Sequence, residues 1–276
     1  MSSAHLPTDR RTGRARLLGG LGTRLRFGAV ELLDIAPEEA VEVLASLARV
    51  RQGVGVHMCN AYTLVSAEAD EAHRASLADD ALNLVDGTPV SWYSRAVTRE
   101  PSRGPVRGPG LMKAMLDRPH LRHFLLGGTD EVLADLRTAI ERDHPAAEVV
   151  GAVAPPFRDP TDEDVAAYAE AVRRSGANVV WVGLGTPRQD LLIARLAGSV
   201  DAVLVGVGAA FDFLSGHKPE APAYLHGTGF EWVHRLLSEP GRLWRRYLIS
   251  NAVFVRLAAR ELRRQRRAVP VEAAHA

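Results

Sequence analysis

Short apolar runs alternate with amphipathic stretches from Phe27 to Val207, and no other feature constrains the fold of this 276-residue chain as strongly. Phe27–Leu33, Val54–Met58, Ala81–Val85, Arg122–Leu126, Glu148–Ala152, Val179–Gly183 and Ala202–Val207 read as strands. Between them Pro37–Arg51, Ala61–Leu77 (with a break), Thr88–Arg95, Leu111–Arg118, Asp130–Asp143, Asp162–Ser175 and Pro187–Leu196 read as helices, and residues 98–109 as a Pro/Gly/Arg loop. Strands that are apolar on both faces must be covered on both faces, and crossover helices do this in a parallel sheet. The pattern predicts an α/β fold: a Rossmann-like, mainly parallel sheet with flanking helices. No repeat at solenoid periods interrupts it.

The ends of the chain differ from this body. Residues 1–26 are Arg-, Gly- and Ser-rich and carry a net charge of +5, which predicts a flexible basic arm. Residues 27–221 read as the α/β domain and 222–267 as a helical appendage, with 268–276 a short tail. In the appendage, Phe230–Leu237 and Arg242–Arg267 read as helices on either side of Glu239-Pro240-Gly241. In the second, Leu243, Tyr247, Phe254, Leu257 and Leu262 recur at roughly helical spacing, with Arg242, Arg245, Arg246, Arg256, Arg260 and Arg263 between them. A basic amphipathic helix suits an anionic membrane surface. An ordinary terminal helix with a solvated Arg face has the same pattern. The formal charge of +1 thus hides an acidic body between basic ends.

Composition excludes several classes. At 46% apolar and 24% charged residues the chain is globular. One cysteine, Cys59, excludes an intrachain disulfide and a multi-cysteine zinc site. No run reaches the ~18 apolar residues of a membrane span. The N-terminal arginines are followed by no apolar core, so no signal peptide is expected. The expected location is cytoplasmic, peripheral to the inner face of the cell membrane.

Ligands of open α/β sheets bind at the carboxyl ends of the strands. Four such ends carry unusual residues. Asn60, after His57-Met58-Cys59, can cap the next helix or hold a polar ligand. Asp86, in Asp86-Gly87-Thr88-Pro89, is placed as a general base, or as a turn or cap residue. Gly127-Gly128 allows close approach of a ligand to the backbone, before a helix start that can meet an anion. Gly183-Leu184-Gly185-Thr186-Pro187-Arg188-Gln189 repeats that design and adds a cation at Arg188. Thr186 and Gln189 also have capping-box spacing. GxxxxGK[ST], GxSxG and HExxH are absent. Asp162-Glu163-Asp164 reads as a helix start rather than a metal site. The histidines have no ligand spacing, and His57 and His123 read as structural. No metal and no cofactor is expected.

In order, Leu84-Val85-Asp86-Gly87-Thr88-Pro89-Val90, Phe124-Leu125-Leu126-Gly127-Gly128, Val182-Gly183-Leu184-Gly185-Thr186-Pro187-Arg188-Gln189, the run Val207–Gly216 and the run Glu239–Tyr247 resemble the WecG/TagA/CpsF family of glycosyltransferases. The resemblance covers about Gly28 to Arg256. It implies an inverting, metal-independent hexosyltransferase of bacterial cell-surface polysaccharide synthesis. The donor would be a nucleotide-diphosphate sugar, with UDP the expected nucleotide and an N-acetylmannosamine-like sugar, related hexose or uronic acid. The acceptor would be a sugar on polyprenyl diphosphate. By match to the family's motifs, Asp86 is the base, Asn60 lies near the sugar, and Gln189 belongs to the G-x-G-x-P-x-Q segment. The C-terminal helices with Arg242, Arg245 and Arg246 match a membrane-docking appendage. Thr88, Gly127, Gly128, Gly183, Gly185 and Arg188 complete the expected substrate-binding set. Two departures stand out. Met58-Cys59 replaces the usual Thr-Pro before the Asn. In Pro105–Met112, Pro105 and Gly110 stand where the R-V-x-G-x-D-L-M pattern has Arg and Asp, and Arg103 or Arg107 is left to substitute for that Arg.

The residues agree with that chemistry independently of the resemblance. Inverting transfer needs a base for the acceptor hydroxyl and positive charge or N–H dipoles for the departing diphosphate. Two other classes remain open. A nicotinamide oxidoreductase would need GxGxxG after the first strand and an acidic residue ~20 positions on, and has neither. A noncatalytic membrane- or nucleic-acid-binding module has no use for Asp86 or Gln189, and the acidic body argues against nucleic acid. Assembly as a homo-oligomer is left open.

Overall fold

The computed structural model describes residues 20–78, 80–225 and 240–268, with the backbone alone at residues 223, 240, 242–249, 267 and 268. Eight strands form one sheet in the order β1-β2-β4-β3-β8-β7-β5-β6. They are β1 (Thr23–Phe27), β2 (Val30–Asp34), β3 (Val54–Cys59), β4 (Leu82–Val85), β5 (Arg122–Gly127), β6 (Glu148–Val153), β7 (Val179–Gly183) and β8 (Val203–Gly206). Only β1 is antiparallel, to β2; the other seven run parallel. Their carboxyl ends therefore share one edge, and the residues after β3, β4, β5, β7 and β8 meet there.

The helices are α1 (Pro37–Arg49), α2 (Ala61–Ala69), α3 (Glu71–Ser76), α4 (Thr88–Thr98), α5 (Gly108–Leu116), α6 (Asp130–Asp143), α7 (Asp162–Ser175), α8 (Arg188–Ala197), α9 (Ala210–Leu214) and α10 (Pro240–Ala268). They cover the sheet on both faces, as the apolar strands require. Leu44 and Leu47 of α1, Met112 and Met115 of α5, Leu136 of α6 and Phe211 of α9 pack on one face with Val56, Leu125, Trp181 and Val205. On the other, Val172 of α7 and Leu192, Ile193 and Leu196 of α8 pack on Phe124, Leu126, Val180, Val182 and Leu204.

Three readings change. The run Phe27–Leu33 is a hairpin rather than one strand. The chain turns at Gly28, with φ +58, and β1 takes residues 23–26 out of the expected arm. Leu25 and Phe27 point inward while Arg24 and Arg26 stay exposed, so an edge strand is built from an Arg-rich segment. The short α9 was not expected. The expected helix at residues 230–237 lies outside the described residues, as does nearly all of the arm.

The basic helix α10 forms across its expected length, and its apolar side is docked on the body. The Phe254 ring stacks on Phe27 at 5.3 Å and meets Tyr93 edge-on at 6.4 Å. Gln265 Nε2 donates to the Arg26 carbonyl at 3.0 Å. Burying one Phe side chain is worth ~1.5–3 kcal/mol. Arg256, Arg260, Arg263, Arg264 and Arg266 remain exposed. Among the described residues no helix is long and apolar enough to cross a membrane.

Candidate active site

Asn60 and Asp86 follow the adjacent strands β3 and β4, whose register pairs Cys59 with Val85. The Asp86 N–H donates to the Cys59 carbonyl at 3.1 Å, which locks the two strand ends together. Asn60 is the helix cap, and its amide also reaches Asp86. Its Oδ1 caps α2, accepting the Thr63 N–H at 3.1 Å, and its Nδ2 donates to Asp86 Oδ2 at 3.4 Å. The cap fixes the amide, and the fixed amide orients the half-buried carboxylate. Gly87 follows with φ +76, a backbone that L side chains resist, and opens α4 at Thr88 without a side-chain cap. Pro89 has no N–H, and those of Val90 and Ser91 both donate to the Gly87 carbonyl at 3.2 Å.

A loop is folded back over the same strand ends. Asp34, buried at the end of β2, accepts the N–H groups of Arg103 at 3.0 Å and Gly104 at 3.1 Å, and also binds the Ser94 hydroxyl. Two residues on, the Val106 N–H donates to the Val85 carbonyl at 2.9 Å. Gly108 then sits so close to Val207 that a Cβ would lie 3.0 Å from its carbonyl oxygen. Arg103 leaves this junction for Glu39, 3.1 Å away at the surface. Arg107 stays within it and pairs with Glu220 at 3.2 Å.

Gln189 is buried and joins two loops. Its Oε1 accepts the N–H of Gly185 at 3.2 Å and of Gly208 at 3.0 Å, tying the end of β7 to the end of β8. The capping-box reading fails. The helix cap is Pro187, with no side-chain hydrogen bond, because the Gln189 carbonyl is spent on those two amides. Gly185 and Gly208 both have positive φ, and a Cβ added to either would meet no atom within 4 Å, so both face open space.

The glycines of β5 and β7 answer first to packing. A Cβ on Gly127, at φ +145, would lie 2.6 Å from the Gly183 carbonyl oxygen, and one on Gly183 would lie 2.8 Å from the Phe211 ring. The two strand ends can touch only as glycines. Past them the chain leaves β5 through α6 on one face and β7 through α8 on the other, which opens a crevice. Gly128, with φ +68, and Thr129, whose hydroxyl caps α6 by accepting the Val132 N–H at 3.2 Å, form its rim. Arg188 points away from the helix start. Its guanidinium lies 5.1 Å from the Phe157 ring and donates to the Arg158 carbonyl. Phe157 itself is 99% exposed.

Beneath the edge lies a hydrogen-bonded network that sequence reading missed. His57 Nδ1 is 2.8 Å from Asp190 Oδ1, and His73 Nε2 is 3.3 Å from Asp190 Oδ2, all three buried. Burial pushes the Asp190 carboxyl up, but the hydrogen bonds from His57 and His73 outweigh it and hold the group down at about 2. Burial, with the carboxylates of Asp190 and Asp86, pushes the Cys59 thiol well up, so it is not a nucleophile. The signal for the network was the spacing of Asp190 one residue past Gln189, but its partners are 117 and 133 residues away.

Asp164 forms a capping box with Thr161 and binds Arg158, while Asp162 lies 2.6 Å from Arg195. Among the described residues no group of three or more His, Cys, Asp or Glu side chains is placed to hold a metal ion. Asn60, Asp86, Thr88, Gly127, Gly128, Gly183, Gly185 and Gln189 thus all lie on the carboxyl edge or just below it. Arg188 begins α8 there, with its charge turned outward. Arg242, Arg245 and Arg246 lie in the first turns of α10, described by backbone alone. The model of the Glycosyl transferase WecG/TagA/CpsF family matches residues 25–268. From β1 through α10 the chain belongs to this family of hexosyltransferases, which act in the synthesis of cell-surface polysaccharides from nucleotide-sugar donors and lipid-linked acceptors.

Proposed function

We propose that the protein moves a sugar from a UDP-sugar to a sugar borne on polyprenyl diphosphate, with inversion and without a metal. N-acetylmannosamine, a related hexose or a uronic acid fits the donor. The observation that carries this reading is the Asn60–Asp86 pair, a half-buried carboxylate aimed by a capped amide at the edge where α/β sheets bind ligands. Asp86 takes the acceptor hydroxyl proton, a role worth ~10²–10⁴-fold in rate. The start of α6 beyond Gly128, beside the open space at Gly185, offers backbone N–H groups to the donor phosphates.

In the same reading α10 holds the enzyme at an anionic membrane, peripherally, on the cytoplasmic side. Its outer face carries Arg256, Arg260 and Arg263, and each basic residue near such a surface contributes about 1 kcal/mol. Arg242, Arg245 and Arg246, at i, i+3 and i+4, share one face of the helix and serve the acceptor diphosphate.

Mass spectrometry of lipid-linked products, with a panel of nucleotide sugars in EDTA, tests the reaction. The expected result is one added sugar from one UDP donor. Strict dependence on added Mn²⁺ or Mg²⁺, or no product from any UDP-sugar, contradicts the reading. With Arg242, Arg245 and Arg246 all changed to Glu, pelleting with anionic liposomes and transfer should fall together while donor binding holds. A triple variant that pellets and turns over like the parent removes the membrane role.

A further inference from the structure

Gln189 ties together the two loops that border the open space at Gly185 and Gly208, so the place of Gln189 itself must be set. No side-chain cap fixes the start of α8, and Arg188 is turned outward. The buried side chains of its first turn are Gln189 and Asp190, and the apolar anchors Leu192, Ile193 and Leu196 come later in the helix. Helix and sheet meet across glycines. A Cβ on Gly55 would lie 2.7 Å from Ile193 Cγ2, and one on Gly206 would lie 2.9 Å from Gln189 Nε2. Gly55 and Gly206 let α8 come close to β3 and β8, but they carry no side chain to set its rotation. The Asp190 carboxylate sets it. One oxygen is 2.8 Å from His57 of β3, which pairs in register with Gly206. The other is 3.3 Å from His73 of α3, whose Nδ1 lies 3.0 Å from Ser66 Oγ of α2. A buried carboxylate is costly once its partners are lost, so these bonds resist a turn of the helix.

We infer that Asp190, held by His57 and His73, is a positioning residue that acts through Gln189 to keep the loops after β7 and β8 in the arrangement that binds the donor. The inference rests on the reading above. The network also joins the two parts of the carboxyl edge. His57 lies three residues before Asn60, and α2, which Asn60 caps, holds Ser66 against His73. A supporting layer of this kind fixes the groups above it without meeting the substrate. Asp190 lies beneath the edge and takes no part in proton transfer, so its loss acts on donor binding and spares the chemistry of the bound donor. A merely structural role would lower Tm and leave UDP affinity unchanged.

The test is a double-mutant cycle. UDP binding by calorimetry and sugar transfer at saturating donor are measured for the parent, Asp190→Ala, Gln189→Ala and the variant with both changes. Asp190→Ala should weaken UDP by about 10-fold with kcat within about three-fold of the parent. Gln189→Ala should weaken UDP by about 10-fold, and adding Asp190→Ala to it should change the affinity by less than about two-fold, because the two residues act in series. Asp190→Asn keeps an acceptor for His57 and a donor for His73, and should bind UDP within about two-fold of the parent. His73→Phe removes one of the two bonds, should weaken UDP by about three-fold, and carries the test if Asp190→Ala does not fold. Binding of UDP by the parent supports the underlying reading, and no binding contradicts that reading and this inference together. If the parent binds UDP and Asp190→Ala or His73→Phe binds it as tightly, the role of Asp190 is overturned and that reading stands. The same holds if Asp190→Ala weakens UDP equally with and without Gln189.

Discussion

At the ends of β3 and β4 the chain presents side chains, Asn60 and Asp86, with the loop carrying Arg107 folded against them. At the ends of β5 and β7 it presents glycine backbone, packed so closely that Gly183 excludes a side chain at Gly127 and the Phe211 ring excludes one at Gly183. The first region is held by hydrogen bonds from neighbouring elements and carries a half-buried carboxylate. The second is held by steric fit and borders open space at Gly185 and Gly208. Substitutions in the first should therefore change turnover with little effect on stability, and substitutions at the packed glycines Gly127 and Gly183 should do the reverse.

The largest effect expected on that contrast is from Gly127→Ala. Its methyl group meets the Gly183 carbonyl at a backbone angle that L residues avoid, so the cost should be about 3 kcal/mol or more. A thermal melt should show Tm lowered by ~6 °C or more. An unchanged Tm would mean that the two strand ends are not packed as described.

Acid should divide the regions next. His123 on β5 is buried and accepts the Trp181 N–H at 3.2 Å, and burial lowers its pKa to about 4. Its folded pKa lies below the ordinary value near 6.5, so its contribution is complete above ~6.5 and is lost as pH falls toward 4, about 3 kcal/mol in all. Asp190 under β3 is also depressed, to about 2, and its contribution is lost only between ~4 and ~2. Denaturant melts at pH 7 and pH 4.5 should show the His123 loss. His123→Gln, which keeps an acceptor for Trp181, should remove most of that difference. A slope that survives the substitution would assign it elsewhere.

The smallest effect on stability is expected at Gly185→Ala, where φ is +75 but nothing lies within 4 Å. The left-handed backbone costs ~1–2 kcal/mol. The methyl group projects into open space, so calorimetry should show weaker donor binding than in the parent. Unchanged affinity would move the donor away from this crevice.

Local signals carried much of the fold into legible sequence. Helices α6 and α7 appear at their expected bounds, because Thr129 and Thr161 cap them and their apolar positions repeat every turn. β1 was not legible: Arg24 and Arg26 alternate with Leu25 and Phe27, and the turn at Gly28 breaks no apolar run. At five residues α9 is too short to show a period. For the site, the strand ends were legible as places, and their internal geometry was not. Gln189 matched a local cap and instead bonds Gly208, 19 positions on. Arg103 and Arg107 look alike in sequence, yet Arg103, held by Asp34 69 residues before it, turns to Glu39, while Arg107 pairs with Glu220.

The central claim is that the side-chain region performs the chemistry while the glycine region binds the donor. Asp86→Asn tests it most directly, because it keeps the size and most of the hydrogen bonding of the carboxylate but cannot accept a proton. Turnover and donor affinity should be measured on the same preparation. The prediction is a fall in kcat of about 10² or more with donor affinity within about two-fold of the parent. Near-normal turnover in Asp86→Asn would contradict it.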